Sequence, residues 1–514
     1  MSTTAASHAP PPPLQGSARA MGTLVLSLAT FMNVLDASIA NVSLPAIAGD
    51  LGSSVHQGTR LITGFGIANA ISVPLTGWLA ARFGQVRLFV ASTLLFTAAS
   101  WLCALATSME WLIAFRVLQG LVAGPMMPLS QTLLLGSHPP ERAGRALGIW
   151  SMTVLLAPIC GPLLGGWITD NLHWEWIFYI NIPVGIFCAA MTWSIYRKRE
   201  TAIVRAPVDV VGLSLLVIWV AALQIMLDTG RDEDWFESRE IVTLAVVAAV
   251  GFLFFVAWEL TDRHPVVDLR LFANRNFACG VIALSGGFAL FSGNVVLLPL
   301  WLQQAMGYTA TWAGLVLAPV GVIAVMFSPA AGRGIDRGLA RTVAVISFFA
   351  FAWSFWLRAL FTTQADYGTI VIPMLLQGVA GSLFFIAMSA ISFSQVAPHQ
   401  MPLAAGLSNF VRISAGAFGT SIASTAWDVR SQVHRGDLVD AASRPGWSLE
   451  EGFFDPLRGA GMGGEQIRGQ LDRIVDQQAL TLGANDIFLF SSIVYLVLIL
   501  PVLIARPVRP RARR

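Results

Sequence analysis

The chain of 514 residues is 55% hydrophobic and only 12% charged, whereas soluble proteins carry about 25% charged residues. Its formal net charge of +3 comes from basic residues that are spread over many loops, so the charge does not indicate a nucleic-acid surface. The apolar runs are long and the polar segments between them are short, which excludes a multidomain soluble protein with large cores.

About fourteen apolar stretches are each long enough to cross a bilayer. A spanning helix needs about 20 mainly apolar residues, because bilayer hydrocarbon cannot satisfy free backbone polar groups. The predicted spans are 21–43, 58–80, 88–107, 111–133, 145–168, 176–196, 208–228, 240–260, 278–303, 310–330, 342–361, 369–393, 404–427 and 486–505. The sequence therefore predicts an all-α integral membrane protein with an even number of spans.

Lysine and arginine are concentrated in the tails and in every second loop, as at 197–199 after the sixth span. Cytoplasmic loops are enriched in these residues, so both termini are expected in the cytoplasm. The Ala- and Pro-rich segment 1–20 lacks the pattern of a signal peptide and is expected to be a disordered tail. The predicted order is this tail, a six-helix bundle at 21–196, two additional spans with flanking loops at 197–277, a second six-helix bundle at 278–505, and a basic cytoplasmic tail at 506–514.

Within the first span, Asp36 is a charged residue in an apolar run. Small and polar residues share its helical face, and bulky apolar residues form the opposite face. An ionised Asp at this depth costs about 2.5–3.5 kcal/mol on insertion scales, so we expect it to face protein or a wet cavity. Two interpretations remain open: a structural ion pair, and proton coupling or substrate contact. The polar face consists of Ala29, Asn33, Asp36, Ala40 and Ser43.

An internal repeat divides the chain. PLTGWLAARFG at 74–84 and PAAGRGIDRG at 329–338 both fit P-x-x-G-x-x-x-x-R, and LQGLVAG at 118–124 is matched by LQGVAG at 376–381. The copies are roughly 255–258 residues apart. The shared order of two motifs predicts two similar six-span halves, and repeated halves around a midplane site are a recurrent transporter design.

Two arginines lie within predicted spans. Arg116 in the fourth span shares a helical face with Gln119 and Met127, and Arg412 in the thirteenth span shares a face with Ser408. Either arginine could serve function, or could merely tie helices together through backbone carbonyls.

The fifth span carries APICGPLLGGW at 157–167. Ala157, Gly161 and Gly165 are four residues apart, which permits close helix contact. Pro158 and Pro162 each remove a backbone donor and bend the helix. The pattern predicts a kinked helix at a tight interface, and a plain packing kink fits it equally well.

The connection 428–485 is far longer than the others and is expected to lie outside the cytoplasm. Its stretch 465–480 places Ile467, Leu471 and Ile474 at helical spacing, which predicts an amphipathic helix. Such a helix could bind the membrane surface or a partner, or could pack on the protein's own outer face.

Histidines and cysteines do not indicate a metal or redox centre. All seven histidines lie in tails or loops, and the four cysteines have no paired spacing. No protease, nucleotide-binding or hydrolase motif is present. We therefore expect neither a metal site nor catalytic residues, and no cofactor other than a proton gradient.

Several segments together resemble the major facilitator superfamily, in its fourteen-span drug:proton antiporter branch. The pairing of R-x-x-Q-G with GPxxGG is specific, whereas the Gly-rich loop alone is weak. The resemblance covers nearly the whole chain outside the tails. The matching segments are LDASIANVSLPAIAGDLGSS at 35–54, GWLAARFGQVRLF at 77–89, RVLQGLVAGPMMPLSQ at 116–131, WSMTVLLAPICGPLLGG at 150–166, WIFYINIPVG at 176–185, LDTGRDEDWFES at 227–238 and LSNFVRISAGAFGTS at 407–421.

The resemblance implies the major facilitator fold and proton-driven efflux of amphipathic drugs. It implies that Asp36 couples protons and that Arg116 is linked to proton transfer. It further implies a periplasmic membrane-fusion adaptor, an outer-membrane channel and a location in a Gram-negative inner membrane.

The resemblance also implies conformational motifs. The wider family usually has Asp where this chain has Ala81, so a charge-relay role of the first loop is in question. The motif positions are Gly77, Arg82 and Gly84 in the first loop, Gly161, Pro162, Gly165 and Gly166 in the fifth span, Asp336 and Arg337 in the second loop copy, and Arg412.

A substrate cavity between the bundles is expected to combine polar and adaptable apolar side chains. Two other functions compete with drug efflux: a transporter of the same fold for a specific metabolite, which the GPLLGG segment disfavours, and a non-transporting receptor or scaffold, which the buried charges disfavour. The expected cavity residues are Asn33, Gln119, Met126, Met127, Phe291, Asn294, Gln377 and Phe384.

Overall fold

The computed structural model describes residues 12–53, 55–139, 142–201, 203, 209–230, 233–262, 265–442 and 464–507. All regular secondary structure in these ranges is helical, which confirms the all-α prediction. Each predicted span coincides with a helix or a bent helix pair. Numbered in chain order, spans 1 to 14 are Gly16–Asp50, Val55–Ser72 with Thr76–Phe83, Gln85–Ala104, Met109–Ala123 with Met126–Ser137, Ala143–Asn171, Trp176–Tyr179 with Asn181–Tyr196, Val210–Thr229, Arg239–Thr261, Arg275–Gln304, Ala310–Asp336, Ala340–Arg358, Tyr367–Phe393, Met401–Ala442, and Gly464–Val497 with Ile499–Ile504.

Eleven of the described helices are long and apolar enough to cross a membrane, or thirteen if two bent pairs each count as one span. The bends are 60° in span 2 and 42° in span 5. Span 13 is less apolar because it carries Asn409 and Arg412, which are each 4% exposed. These polar side chains contact protein rather than lipid, so a less apolar helix can lie among the other spans.

The helices form two six-helix bundles. In the first bundle, span 1 packs against spans 2, 4, 5 and 6; in the second, span 9 packs against span 13 and span 12 against spans 10 and 11. Spans 5 and 10, and spans 4 and 13, join the two bundles. Spans 7 and 8 pack on each other, and span 7 also contacts spans 2 and 13. The ring of Trp219 in span 7 lies 5.8 Å from that of Phe410 in span 13, so the additional pair is attached through aromatic packing.

The N-terminal helix begins earlier than the sequence predicted. Span 1 starts at Gly16, inside the expected tail 1–20, and the backbone N–H of Leu14 donates to the Ser137 carbonyl. Residues 17–20 contain no helix-breaking residue, so the helix continues outward from the apolar segment. Residues 1–11 and 508–514 of the predicted tails lie outside the described residues.

The long connection 428–485 is mostly helical, and the helix predicted at 465–480 is present within it. Spans 13 and 14 extend past the predicted membrane segments and pack on each other as a hairpin, and residues 443–463 lie outside the described part. Arg435 bonds Asp472 at 2.7 Å and Asp476 at 2.6 Å across it. Span 13 has 42 residues and is therefore about 63 Å long, roughly twice the hydrocarbon thickness.

Candidate functional site

Asp36 lies inside the first bundle, in the middle of span 1, and is 2% exposed. The whole predicted polar face, including Asn33 and Ser43, is buried. The opposite face is mixed, because Leu35 and Ile39 are also buried whereas Val42 is 41% exposed. The small polar face of span 1 therefore contacts the other helices of the bundle.

Three side chains donate hydrogen bonds to the Asp36 carboxylate. Arg116 Nη1 lies 2.5 Å from Oδ2, while Gln119 Nε2 lies 3.2 Å and Asn181 Nδ2 lies 2.7 Å from Oδ1. Arg116 Nη1 also donates to Gln119 Oε1 at 2.8 Å, and the thiol of Cys103 approaches that oxygen at 3.7 Å. Spans 4 and 6 thus bond the Asp36 carboxylate of span 1, and span 3 contacts the same network through Cys103.

The Arg116 guanidinium is held by aromatic rings as well as by charge. Its central carbon lies 4.2 Å from the centre of the Phe65 ring and 5.7 Å from that of Phe178. Arg116 is 1% exposed, and its Nε has no hydrogen-bond partner. Removing one partner of such a buried pair typically costs about 3–5 kcal/mol, so the ionisation state of Asp36 acts strongly on local packing.

Asn181 is part of this site although sequence reasoning did not single it out. It begins the long helix of span 6, is 1% exposed, and also donates to Ser100 Oγ at 3.0 Å. The available signal was an amide in the otherwise apolar segment WIFYINIPVG. Sequence alone could not indicate that span 6 turns this amide toward span 1.

Span 5 approaches span 1 closely at Gly161. A Cβ atom there would lie 2.5 Å from Ser38 Cβ, whereas at Gly165 it would lie 3.3 Å from the Ile39 carbonyl oxygen and at Gly166 it would meet nothing within 4 Å. Pro162 has no N–H to donate to the Pro158 carbonyl, and the Ser38 hydroxyl donates to that carbonyl instead at 3.2 Å. The side chain of Pro162 lies outside the described residues.

The apolar members of the expected cavity belong to one hydrophobic cluster, whereas the four polar members bond separate partners. Asn33 donates to the Ala123 carbonyl at 3.3 Å and Gln119 belongs to the Asp36 site. In the second bundle, Asn294 donates to Ser491 at 3.0 Å and Gln377 accepts from Arg358. Met126 is fully buried, and the rings of Phe291 and Phe384 both pack on Phe385.

Met127 lies where the bundles meet. The Arg412 guanidinium of span 13 lies 3.0 Å from the Met127 sulfur of span 4, bonds Asn409 at 2.9 Å and stacks 4.5 Å from the Phe288 ring centre. Asn409 in turn donates to Gln131 of span 4 at 3.3 Å. A buried polar cluster that includes Arg412 therefore bridges the bundles.

We call the end of the bundles that carries Gly16 and Ile504 the terminal face. There the Asp336 carboxylate accepts from the Gly144 N–H at 2.9 Å and lies 3.4 Å from Arg145, so the end of span 10 caps the start of span 5. Arg337 is exposed.

The first loop copy lies against span 13 at Gly77. A Cβ at Gly77 would lie 2.8 Å from the Leu403 Cα of span 13. Gly84 has φ +90°, a conformation that favours glycine. Two residues earlier, the guanidinium carbon of Arg82 lies 5.4 Å from the centre of the Trp78 ring.

Comparisons with known proteins agree with this architecture. The family model described as Major Facilitator Superfamily matches residues 26–420. The chain is 49% identical to the multidrug export protein EmrB of Haemophilus influenzae, over 96% of this chain and 97% of that protein, and 48% identical to EmrB of Escherichia coli strain K12 over the same shares. It is 46% identical to the fatty acid resistance protein FarB of Neisseria gonorrhoeae, over 96% and 98%.

A solved structure supports the fold alone. The human organic anion transporter MFSD10 (TETRAN) superposes with a TM-score of 0.60 at 12% identity, over 94% of this chain and all of that chain. The extent of the family match and the identity to these relatives show that the chain belongs to the major facilitator superfamily, in the group of transporters that includes EmrB and FarB.

Proposed function

We propose that this protein is a proton-driven antiporter that exports amphipathic toxic compounds across the inner membrane, and that it is not an enzyme. The observation that carries the proposal is the buried Asp36 of span 1, whose carboxylate accepts hydrogen bonds from spans 4 and 6. The names of EmrB and FarB, which refer to multidrug export and fatty acid resistance, support the substrate class.

Proton uptake changes the charge of this site. The ionised carboxylate accepts from Arg116, Gln119 and Asn181. Protonation removes the counter-charge of Arg116 and leaves a buried cation, which is costly. A proton can drive transport only if it stabilises one facing state over the other, and the repacking of span 1 against spans 4 and 6 provides that difference.

We infer alternating access between the two bundles. The backbone of span 10 approaches span 5 at Gly144, and span 2 approaches span 13 at Gly77. The basic loops support a cytoplasmic position for the terminal face and both termini, so these contacts correspond to a state closed toward the cytoplasm. A membrane potential contributes about 2.3 kcal/mol per charge per 100 mV, and a pH gradient adds to it.

We propose that the protein is the pump of a tripartite system with a periplasmic membrane-fusion adaptor and an outer-membrane channel. The hairpin formed by the extensions of spans 13 and 14 lies on the face opposite the terminal face. Its helical extension beyond the bilayer supports a periplasmic contact with the adaptor.

The experiment is proton flux in everted vesicles on addition of three amphipaths: ethidium, decanoate and an uncharged alkyl phenol. We expect at least one of them to release protons, and Asp36→Asn to abolish the release. Transport of these compounds without proton movement would instead favour a facilitative carrier of the same fold. Absence of both transport and proton movement would favour a receptor or scaffold.

A further inference from the structure

We propose that Asn181 is a positioning residue that holds Asp36 in its ionised arrangement and thereby sets the pH range over which the transporter takes up its proton. The inference rests on the proposed function, because it concerns the same carboxylate. It assigns a role to a residue of the matching segment WIFYINIPVG that is not among the expected coupling residues Asp36 and Arg116.

The hydrogen-bond network fixes the orientation of the Asn181 amide. Ser100 Oγ donates to the Phe178 carbonyl at 2.9 Å, so its oxygen is free only to accept. An ionised Asp36 also can only accept. Both neighbours therefore require the NH₂ group of Asn181, which lies 2.7 Å from Asp36 Oδ1 and 3.0 Å from Ser100 Oγ.

A fixed donor opposes protonation of the oxygen that it faces. A proton on Asp36 Oδ1 would point at the N–H groups of Asn181 and Gln119, while Oδ2 faces Arg116. Hydrogen bonds to the charged form of a carboxyl favour that form. Proton uptake at Oδ1 therefore displaces one of these two donors, and uptake at either oxygen weakens the Asn181–Asp36 bond, because a neutral carboxyl is a poorer acceptor than a carboxylate.

In the part of the chain that the structure describes, the surroundings of Asp36 contain one cation and one thiol. The charged or titratable neighbours recorded in the described residues are Arg116 of span 4 and, behind Gln119, the thiol of Cys103 in span 3. Span 2 contributes the Phe65 ring beneath Arg116. Span 5 contributes the Pro158 carbonyl, which is bonded by Ser38 rather than by Asp36.

The second bundle provides an internal comparison. Gln377 occupies the repeat position of Gln119, and Arg358, which donates to Gln377, lies one repeat length after Cys103. None of the ion pairs in the described ranges includes Arg358. This half keeps the buried glutamine and a cation but lacks a paired carboxylate.

The position that corresponds to Asn181 differs accordingly. In span 6, the pair Ile177-Phe178 ends three residues before Asn181. In span 14, the same pair, Ile487-Phe488, ends three residues before Ser491. Ser491 accepts from Asn294 at 3.0 Å. A second amide donor is therefore present in the bundle that contains the paired carboxylate, whereas a hydroxyl stands at the matching position of the other bundle.

The test follows protonation of Asp36 directly, without any substrate. The carboxylic-acid infrared band of the purified full-length protein is recorded against pH, and the band that Asp36→Asn removes is assigned to Asp36. We expect Asn181→Leu to move the midpoint of this band upward by about one pH unit or more, a tenfold or larger change in proton affinity. Asn181→Ser, the residue of the other bundle, should move it in the same direction by less.

Ser491→Ala is the matched control, because it removes the corresponding group from the second bundle and should leave the midpoint unchanged. A merely structural role of Asn181 would lower the unfolding temperature and leave the midpoint in place. A midpoint equal to that of the parent in Asn181→Leu, or in Asn181→Ser if the leucine variant does not fold, overturns the inference. A parent whose Asp36 band never appears would instead reject the proposed coupling function.

Discussion

Arg116 Nη1 lies 2.5 Å from Asp36 Oδ2, and each side chain is 1% exposed. This pair links a proton to helix packing, because neutralising Asp36 leaves the guanidinium with neutral partners, Gln119 Oε1 and the Phe65 ring. An uncompensated buried charge costs several kcal/mol. The helices of the first bundle therefore have a physical reason to rearrange when Asp36 takes up a proton.

Asp36→Asn should abolish substrate-dependent proton release while membrane insertion is retained. The amide keeps the size of the carboxyl but neither binds a proton nor neutralises Arg116. The measurement is proton flux of the purified variant in liposomes. Drug-driven proton flux at the level of the parent protein would contradict the coupling role of Asp36.

Arg116→Lys should also impair coupling, because lysine keeps the charge but loses the planar fork that bonds Asp36 and Gln119 together. Arg358→Lys is the matched control: Arg358 is equally buried but lies outside the Asp36 network. We expect proton flux to fall in the first variant only. Equal flux in both variants would reject a geometric role for Arg116.

The fold could be predicted from the sequence because its strongest signals are local. An apolar run of spanning length forces a helix, and each predicted span is helical in the structure. Periodicity predicts the helix at 465–480 that extends span 14, but it does not predict the matching extension of span 13 or the pairing of the two extensions. That pairing depends on bonds of Arg435 with Asp472 and Asp476, which are distant in sequence.

The candidate site was only partly predictable. The sequence indicates Asp36 and Arg116 because a charged side chain within a span has a high free-energy cost. In the structure the two side chains are in direct contact. Asn181 is a neutral amide, so the hydropathy of its segment does not indicate its role. The expected cavity residues Asn294 and Gln377 turn instead to Ser491 and Arg358 inside the second bundle, because periodicity defines a helix face but not the neighbour of that face.

Gly161→Ala should reduce transport at normal membrane levels, and Gly161→Leu should reduce it further. The new Cβ would lie 2.5 Å from Ser38 Cβ, and overpacking of this kind costs about 1–3 kcal/mol. Gly166→Ala is the control, because no atom of the described residues lies within 4 Å of its Cβ. Adding Ser38→Gly to Gly161→Ala removes the clashing side chain and should restore transport in vesicles. Parental rates in Gly161→Ala and Gly161→Leu would show that the close contact is not required.

Gly165→Leu should have a smaller effect than Gly161→Leu. At Gly165 a Cβ would approach the Ile39 carbonyl oxygen at 3.3 Å, a tight contact that a small shift relieves. Vesicle transport rates at matched protein levels test this order. A larger loss at Gly165 would place the critical contact one turn further along span 5.

Asp336→Ala should loosen the terminal face. Asp336 caps the start of span 5 through the Gly144 N–H and lies beside Arg145, and a carboxylate at a helix N-terminus contributes about 0.3–2 kcal/mol. The first loop has Ala81 at the corresponding position, so this position supplies no second carboxylate. Cysteine labelling at the terminal face should become faster.

Asp366→Ala is the control for this variant. Hydrogen bonds from the side chain and the backbone N–H of Thr369 lower the pKa of Asp366, so this carboxylate is also an ionised helix cap at neutral pH, but it caps only its own helix. Labelling should not change in this variant. Unchanged labelling in Asp336→Ala as well would remove the contact between spans 5 and 10 as a conformational latch.

Leu471→Asp together with Ile474→Asp should weaken co-purification of a periplasmic adaptor while proton-coupled transport continues in adaptor-free vesicles. The helix predicted at 465–480 is present, and its Ile467 is only 8% exposed, so part of the apolar face already packs within the hairpin. Leu471 and Ile474 remain half-buried and can contribute to a partner surface. Gly469→Asp with Arg473→Asp places acids on the opposite, exposed side of the same helix and should leave co-purification intact. Unchanged co-purification in the first pair would exclude this helix as the docking site, whereas loss of vesicle transport would assign the face to packing of the hairpin itself.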